Sequence, residues 1–353
     1  MVTSTQVVLA LVVLNIVTGA AVRLSDSGLG CPDWPSCYRH RLTPALSLHP
    51  AIEFGNRLVV VALVLAALTC VVLVARTSPL RRDLVWLSGG LVAGIIGEAL
   101  VGAIVVYSKL NPYVVMVHFC IGIALLTVAT ILALRAGRPF TPGARAVPKV
   151  RKTELRIART MLALLALAIV AGTATTGAGP HAGGANAKRI PVRLEDMVRV
   201  HSGLVLLLIA LTLVLVYSLY RSRAPEVVQE RVRILVASMI AQGFIGYTQF
   251  FSHLPPLLVG VHVFGATVVW IVMLWFYDGL YDHSGRGAVR SSSRDAHESV
   301  DARGARDAAG ARDAAGAPDA AEPFRRGAGP RQRIPTGVGT AADNTGDPDT
   351  GRR

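Results

Sequence analysis

The chain has 353 residues, of which 52% are hydrophobic and only 16% charged, and its mean hydropathy is +0.49. A soluble protein of this length would carry closer to a quarter charged residues; here the apolar residues fall in uninterrupted runs of about 20, enough to cross a bilayer core of roughly 30 Å, which excludes a single soluble core. The formal charge of +14 does not point to nucleic acid, because the basic residues lie between the hydrophobic runs or in the C-terminal tail, where membrane topology signals are placed.

The first run, Gln6 to Ala21, lacks a basic segment before it, and Val22-Arg23-Leu24-Ser25 after it is a poor cleavage site, so it reads as a retained helix and not a signal peptide. Spans are expected at about 5–23, 51–75, 84–107, 112–135, 156–176, 197–220, 231–251 and 256–279, each helical because irregular backbone cannot face lipid. Lys and Arg crowd the second-to-third, fourth-to-fifth and sixth-to-seventh connections: Arg76, Arg81 and Arg82, then Arg135 through Arg159, then Arg221, Arg223, Arg231 and Arg233. The other side is poorer, so both termini are expected in the cytoplasm, with loops one, three, five and seven outside the cell membrane. Beyond about Asp282, repeats such as Gly304-Ala305-Arg306-Asp307-Ala308-Ala309 offer nothing large and apolar to bury, and residues 283–353 are expected to be a disordered cytoplasmic tail.

An internal repeat organises the rest. Glu98 stands 20 residues before His118, as Gln242 does before His262, and Gly102 and Gly246 stand 16 before the same two histidines. Asn56 precedes His118 by 62 residues and His201 precedes His262 by 61. The expected fold is an all-α integral membrane protein of eight transmembrane helices in two tandem four-helix bundles, residues 1–140 and 141–282. Each half begins and ends on the same side, so the repeat is parallel.

Ionisable groups inside spans are costly and therefore functional candidates. His118, His201 and His262 each lie about six residues into a helix entering from the outer face, roughly 9 Å deep, and Glu53 and Asn56 enter the second helix at a similar depth. Three histidines at one level on three helices point to iron, since neutral imidazole is a good axial ligand and helix bundles hold heme between facing helices. His201 and His262 could clamp one b-type heme from both faces, leaving no open position, which suits electron transfer. With no Cys-x-x-Cys-His in the chain, a covalent c-type heme is not expected. The first half differs, because Asn56, a poor heme ligand, stands where His201 stands in the second. That half should hold its heme through His118, with a weaker or open opposite side.

Glu53 lies one helical turn before Asn56 on the same face, and its counterpart Val198 cannot ionise. It is a catalytic candidate, with pairing to Arg57 as the alternative. Arg57 and Arg199 are placed to meet heme propionates or to snorkel to the interface. Glu98 and Gln242 read as interhelical hydrogen-bonding groups. Cys31 and Cys37 flank Pro32-Asp33-Trp34-Pro35-Ser36 in a loop expected on the oxidising side, where a disulfide can persist, either structural or redox-active. Cys70 and Cys120 read as core residues, and His40, His49, His181 and His253 as loop residues.

Gly28-Leu29-Gly30-Cys31-Pro32-Asp33-Trp34-Pro35, Ile52-Glu53-Phe54-Gly55-Asn56-Arg57-Leu58 and Gly177-Ala178-Gly179-Pro180-His181 resemble the heme A synthase family over roughly residues 5–280. The resemblance implies two four-helix halves, a heme b cofactor on His201 and His262, and heme O as the substrate of the first half. It implies oxidation of the C8 methyl of heme O to a formyl group by successive hydroxylations, with water as oxygen source. Glu53 would be the catalytic residue and Cys31–Cys37 a loop disulfide, with the product serving terminal oxidases. Candidate partners are heme O synthase, an electron acceptor that the sequence does not name, and a second copy of the chain. Asn56 departs from the family, which usually has histidine there: the substrate iron is then held by His118 alone, or water or Asn56 completes the site. Competing readings are a diheme b-type cytochrome that only transfers electrons, which would usually place its hemes at two depths, and a transporter, which would place polar groups near the midplane.

Overall fold

The computed structural model describes residues 1–284 apart from 39–43, 45–46, 139, 141–144 and 185. Eight helices follow the eight apolar runs: α1 (Val2–Leu24), α2 (Leu48–Ala75), α3 (Arg82–Tyr107), α4 (Pro112–Ala136), α5 (Lys152–Ala178), α6 (Leu194–Arg221), α7 (Glu226–Phe251) and α8 (Pro256–Gly279). They contain 23 to 28 residues, or about 35–42 Å at 1.5 Å per residue, and each is long and apolar enough to cross a membrane. The protein is a multi-pass, all-α membrane protein. The helices α5 and α7 begin four or five residues earlier than the apolar runs suggest, because Glu154 and Glu226 in their first turns suit the positive end of the helix dipole. Among the described residues the extended structure is one short ladder, β1 (Val147–Pro148) antiparallel to β2 (Tyr281–Asp282). The tail reading falls, from residue 285 on, outside the described residues, as does His40.

Helices α1 to α4 close a ring, each packed on the next and α4 back on α1, and α5 to α8 close a second. Between the rings α4 meets α8, and the contact of α1 with α8 is matched by that of α5 with α4. This is the pattern expected when α1–α4 correspond to α5–α8. Across the α4–α8 seam the Trp270 indole N–H donates to Thr127 Oγ1 at 2.8 Å. The likeness extends to the backbone: the α3–α4 turn has two consecutive left-handed residues, Lys109 and Leu110, and the α7–α8 turn has His253 and Leu254. The two pairs are separated by the same interval as His118 and His262.

The loops at the odd-numbered end are joined. Gly28 N–H donates to the Gly183 carbonyl, Arg23 Nε to the His181 carbonyl, and the His181 ring lies 2.8 Å from the Leu254 carbonyl. Gly183 has φ +95°, which an L side chain rarely adopts, so glycine at this position is what lets the two loops meet.

The fully packed core occupies the opposite, even-loop half of the molecule: Val8 and Val12, Leu63 and Ala67, Leu84 and Leu91, Leu126 and Leu132, Met161, Leu215, Leu235 and Phe276. His118, His201 and His262 are themselves only partly buried. Away from both regions the helices present apolar side chains outward, Trp86 (81% exposed) and Phe244 (74%) among them, as a lipid-facing surface requires.

Glu154 is fully buried at the start of α5; Oε2 accepts the Arg151 N–H at 2.8 Å and Oε1 the Ser218 hydroxyl at 2.9 Å. Removing it leaves a helix N–H and a hydroxyl without their acceptor, at a cost of about 1–3 kcal/mol. Glu154→Ala is expected to lower the thermal unfolding midpoint of the detergent-purified protein, whereas Glu226→Ala at the exposed start of α7 should leave it nearly unchanged.

Candidate functional site

In the second ring the pair α5–α6 touches the pair α7–α8 only sparsely, and His201 from α6 and His262 from α8 face each other between them. Their ring centroids are 6.4 Å apart at an interplanar angle of 76°. His201 Nδ1 lies 2.8 Å from the Ala168 carbonyl of α5. A carbonyl can only accept, so Nδ1 carries the proton and Nε2 keeps its lone pair. The Gln242 side-chain N–H reaches Nδ1 of His262 at 3.1 Å and its carbonyl at 2.9 Å, while Gln242 Oε1 is buried without a hydrogen-bond partner.

Each imidazole is seated against a glycine of the preceding helix. A Cβ at Gly172 would stand 3.2 Å from His201 Cε1, one at Gly246 3.0 Å from His262 Cε1, and one at Gly102 3.4 Å from His118 Cε1. The donor set fits iron in a porphyrin: two imidazoles on one metal, each bond about 2 Å, would place ring centroids roughly 6 Å apart.

The first ring repeats this plan with three changes. His118 Nδ1 lies 3.1 Å from Glu98 Oε1, where the second ring has the Gln242 amide. The pair is in contact but not aligned as a hydrogen bond, and His118 Nδ1 and Glu98 Oε2 are both buried without a hydrogen-bond partner. Asn56 on α2, at the position that matches His201 in the sequence repeat, accepts the Thr18 hydroxyl of α1 through Oδ1 at 2.7 Å. Asn15, one turn earlier on α1, has its Oδ1 buried without a partner. Asn15 and Thr18 were not singled out from the sequence, although polar residues inside an apolar run are themselves the signal.

The third change is Glu53. It is buried, pairs with Arg57 at 2.7 Å, and through Oε2 accepts the Cys31 N–H at 2.8 Å. Cys31 and Cys37 form a disulfide. Arg57 also donates to the carbonyls of Asp33 at 2.9 Å, Ser36 at 3.1 Å and Pro35 at 3.2 Å. The loop lies directly on the start of α2, since a Cβ at Gly30 would stand 2.7 Å from the His49 carbonyl carbon. One turn of α2 thus holds the disulfide loop, and the Arg57 guanidinium is committed to that loop and to Glu53. Arg199 is exposed and reaches Asp196 at 3.4 Å. His49 contacts the Ser27 hydroxyl, and Cys70 is buried in the core.

A family described as cytochrome oxidase assembly protein matches residues 3–51 and 49–186, more than half of the chain. Similar curated relatives include the heme A synthase of Geobacillus thermodenitrificans, 31% identical over 149 residues, covering 40% of this chain and 46% of the relative. That of Shewanella oneidensis is 33% identical over 147 residues, covering 37% and 44%, and that of Geobacillus kaustophilus 32% identical over 128 residues, covering 35% and 39%. The chain thus matches less than half the length of these relatives. With its first ring, its disulfide loop and the start of its second ring inside the matched residues, the chain belongs to the cytochrome oxidase assembly protein family (COX15-CtaA).

Proposed function

We propose that the protein is a heme A synthase, an oxidoreductase of the cell membrane that converts the C8 methyl of heme O to a formyl group. The observation that carries this reading is the facing pair His201 and His262, spaced at 6.4 Å as two axial ligands would be, beside a first ring in which the same plan keeps only His118. The relatives named heme A synthase support it.

In this reading the halves are residues 1–140, which take the substrate, and 141–282, which hold heme b. A heme b on His201 and His262 supplies one-electron transfer. Holding the heme iron, His262 would carry its proton on Nδ1, the nitrogen that faces the Gln242 side chain. In the first half His118 holds the substrate, and the Asn56–Thr18 pair faces it without a second strong ligand, so the product can leave. Each hydroxylation takes one water and gives up two protons and two electrons: methyl to hydroxymethyl, then to a gem-diol that loses water to give the formyl group. Glu53 takes protons at its carboxylate, where Arg57 and the Cys31 N–H hold it. The electrons leave through the second half to an acceptor of the membrane. The odd-numbered loops face outward and both termini are cytoplasmic, as the excess of Lys and Arg in the even-numbered loops indicates.

Extraction and chromatography of the non-covalent hemes from detergent-purified protein, produced in cells supplying heme O, tests the reading. Wild type should yield heme B with heme O or A, and Glu53→Ala should cut heme A formation by about 10²–10⁴-fold, the range for loss of a general acid–base. Heme B alone in both proteins would instead assign electron transfer only.

Replacing Asn56 with histidine restores the second imidazole found in the other half. First-half heme should then be retained at least about tenfold more tightly, a gain of only ~1.4 kcal/mol, measured as heme loss to an apo-globin acceptor. Unchanged retention would show that position 56 does not face the substrate iron.

A further inference from the structure

Glu98 and Gln242 occupy matched places: α3 and α7, 20 residues before the histidine each one serves, four residues before the glycine that seats the imidazole. Both side chains lie 3.1 Å from Nδ1 of that histidine, and both leave an oxygen buried without a partner. They differ by one atom, a carboxylate oxygen in the first half and an amide nitrogen in the second. The amide already serves to pin a ring between helices, so interhelical packing does not explain the carboxylate. A carboxyl group kept 8% exposed in a membrane helix is costly to bury, and the second half shows the fold can do without it.

We propose that Glu98 is a positioning residue that sets the electronic character of iron held on His118. The proposal rests on the heme A synthase reading. A small rotation of the His118 ring aligns Nδ1–H with Glu98 Oε1, which fixes the tautomer with Nε2 toward the substrate. A carboxylate acceptor draws the Nδ1 proton more strongly than an amide and makes the ligand more basic. A more basic ligand stabilises oxidised iron and lowers its potential. Gln242 presents an N–H to His262, gives that ring no carboxylate to lean on, and so leaves heme b at a higher potential. The difference directs electrons from the half where the substrate is oxidised to the half that relays them, and it pairs with the loss of the second histidine at Asn56. In the first half one ligand is removed and the other is strengthened.

The test is the exchange of the two side chains in the full-length protein, purified with its hemes, with potentials measured by spectroelectrochemical titration at the separate α-bands of the two heme types. Glu98→Gln should raise the potential of the first-half heme and lower its iron–imidazole stretching frequency in the reduced state, with heme b unmoved. Gln242→Glu should lower the potential of heme b. A first-half heme retained in Glu98→Gln with unchanged potential and stretching frequency overturns the proposal and leaves the function standing. If Glu98→Gln sheds its heme, Gln242→Glu decides, and an unshifted heme b potential overturns the proposal. A heme content unaffected by His118→Ala would overturn the placement of substrate on His118, and this proposal with it.

Discussion

A buried imidazole can offer a metal its lone pair only if its other nitrogen carries the proton and has an acceptor to give it to. In lipid there is no water to serve as that acceptor, so a neighbouring helix must supply it. Each histidine of the candidate site meets a group of a neighbouring helix. His201 Nδ1 meets the Ala168 carbonyl, His262 Nδ1 meets the Gln242 amide nitrogen and His118 Nδ1 lies beside the Glu98 carboxylate, and each partner comes from the helix before. Such an approach demands that the helices nearly touch, which is why a glycine faces each ring. Ridge-and-groove packing of ordinary side chains would hold the axes too far apart.

The same requirement separates the molecule into two levels. Where the helices pack side chain against side chain, the interior is dry and complete. Where they carry imidazoles, the second ring is two helix pairs facing each other across His201 and His262. The disulfide loop closes over this level in the first ring, tied down by Glu53 and Arg57 from a single turn of α2. A carboxylate that both pairs with arginine and accepts a loop N–H is held in one orientation, so the alternatives of pairing and catalysis are compatible.

Much of this was legible in the sequence because a bilayer punishes exceptions. Twenty apolar residues are needed to cross it, so the eight helices could be read directly, and His118, His201 and His262 stood out as costs that something must repay. The repeat spacing predicted which residues correspond, and the left-handed pairs Lys109–Leu110 and His253–Leu254 stand at the same interval. The starts of α5 and α7 were less legible, since a charged first turn outside the hydrocarbon leaves no hydropathy signal. The Ala168 carbonyl was invisible, because every residue has one, and Gly172 was hidden among the many small residues of membrane helices. Arg57 could not be placed from sequence: a long side chain has many acceptors in reach, and only the fold shows that it takes four loop carbonyls and Glu53.

The joined loops at the odd-numbered end have a mechanical consequence. The bonds Gly28–Gly183 and Arg23–His181 act as a clasp across the seam between the rings, and Trp270–Thr127 is a rivet further along it. Hinging one ring against the other would break all three at once. Within the second ring, where α5–α6 and α7–α8 meet sparsely, His181–Leu254 bridges the two helix pairs. The same loop residue, His181, thus ties the first ring to the second through Arg23 and the two helix pairs of the second ring to each other through Leu254.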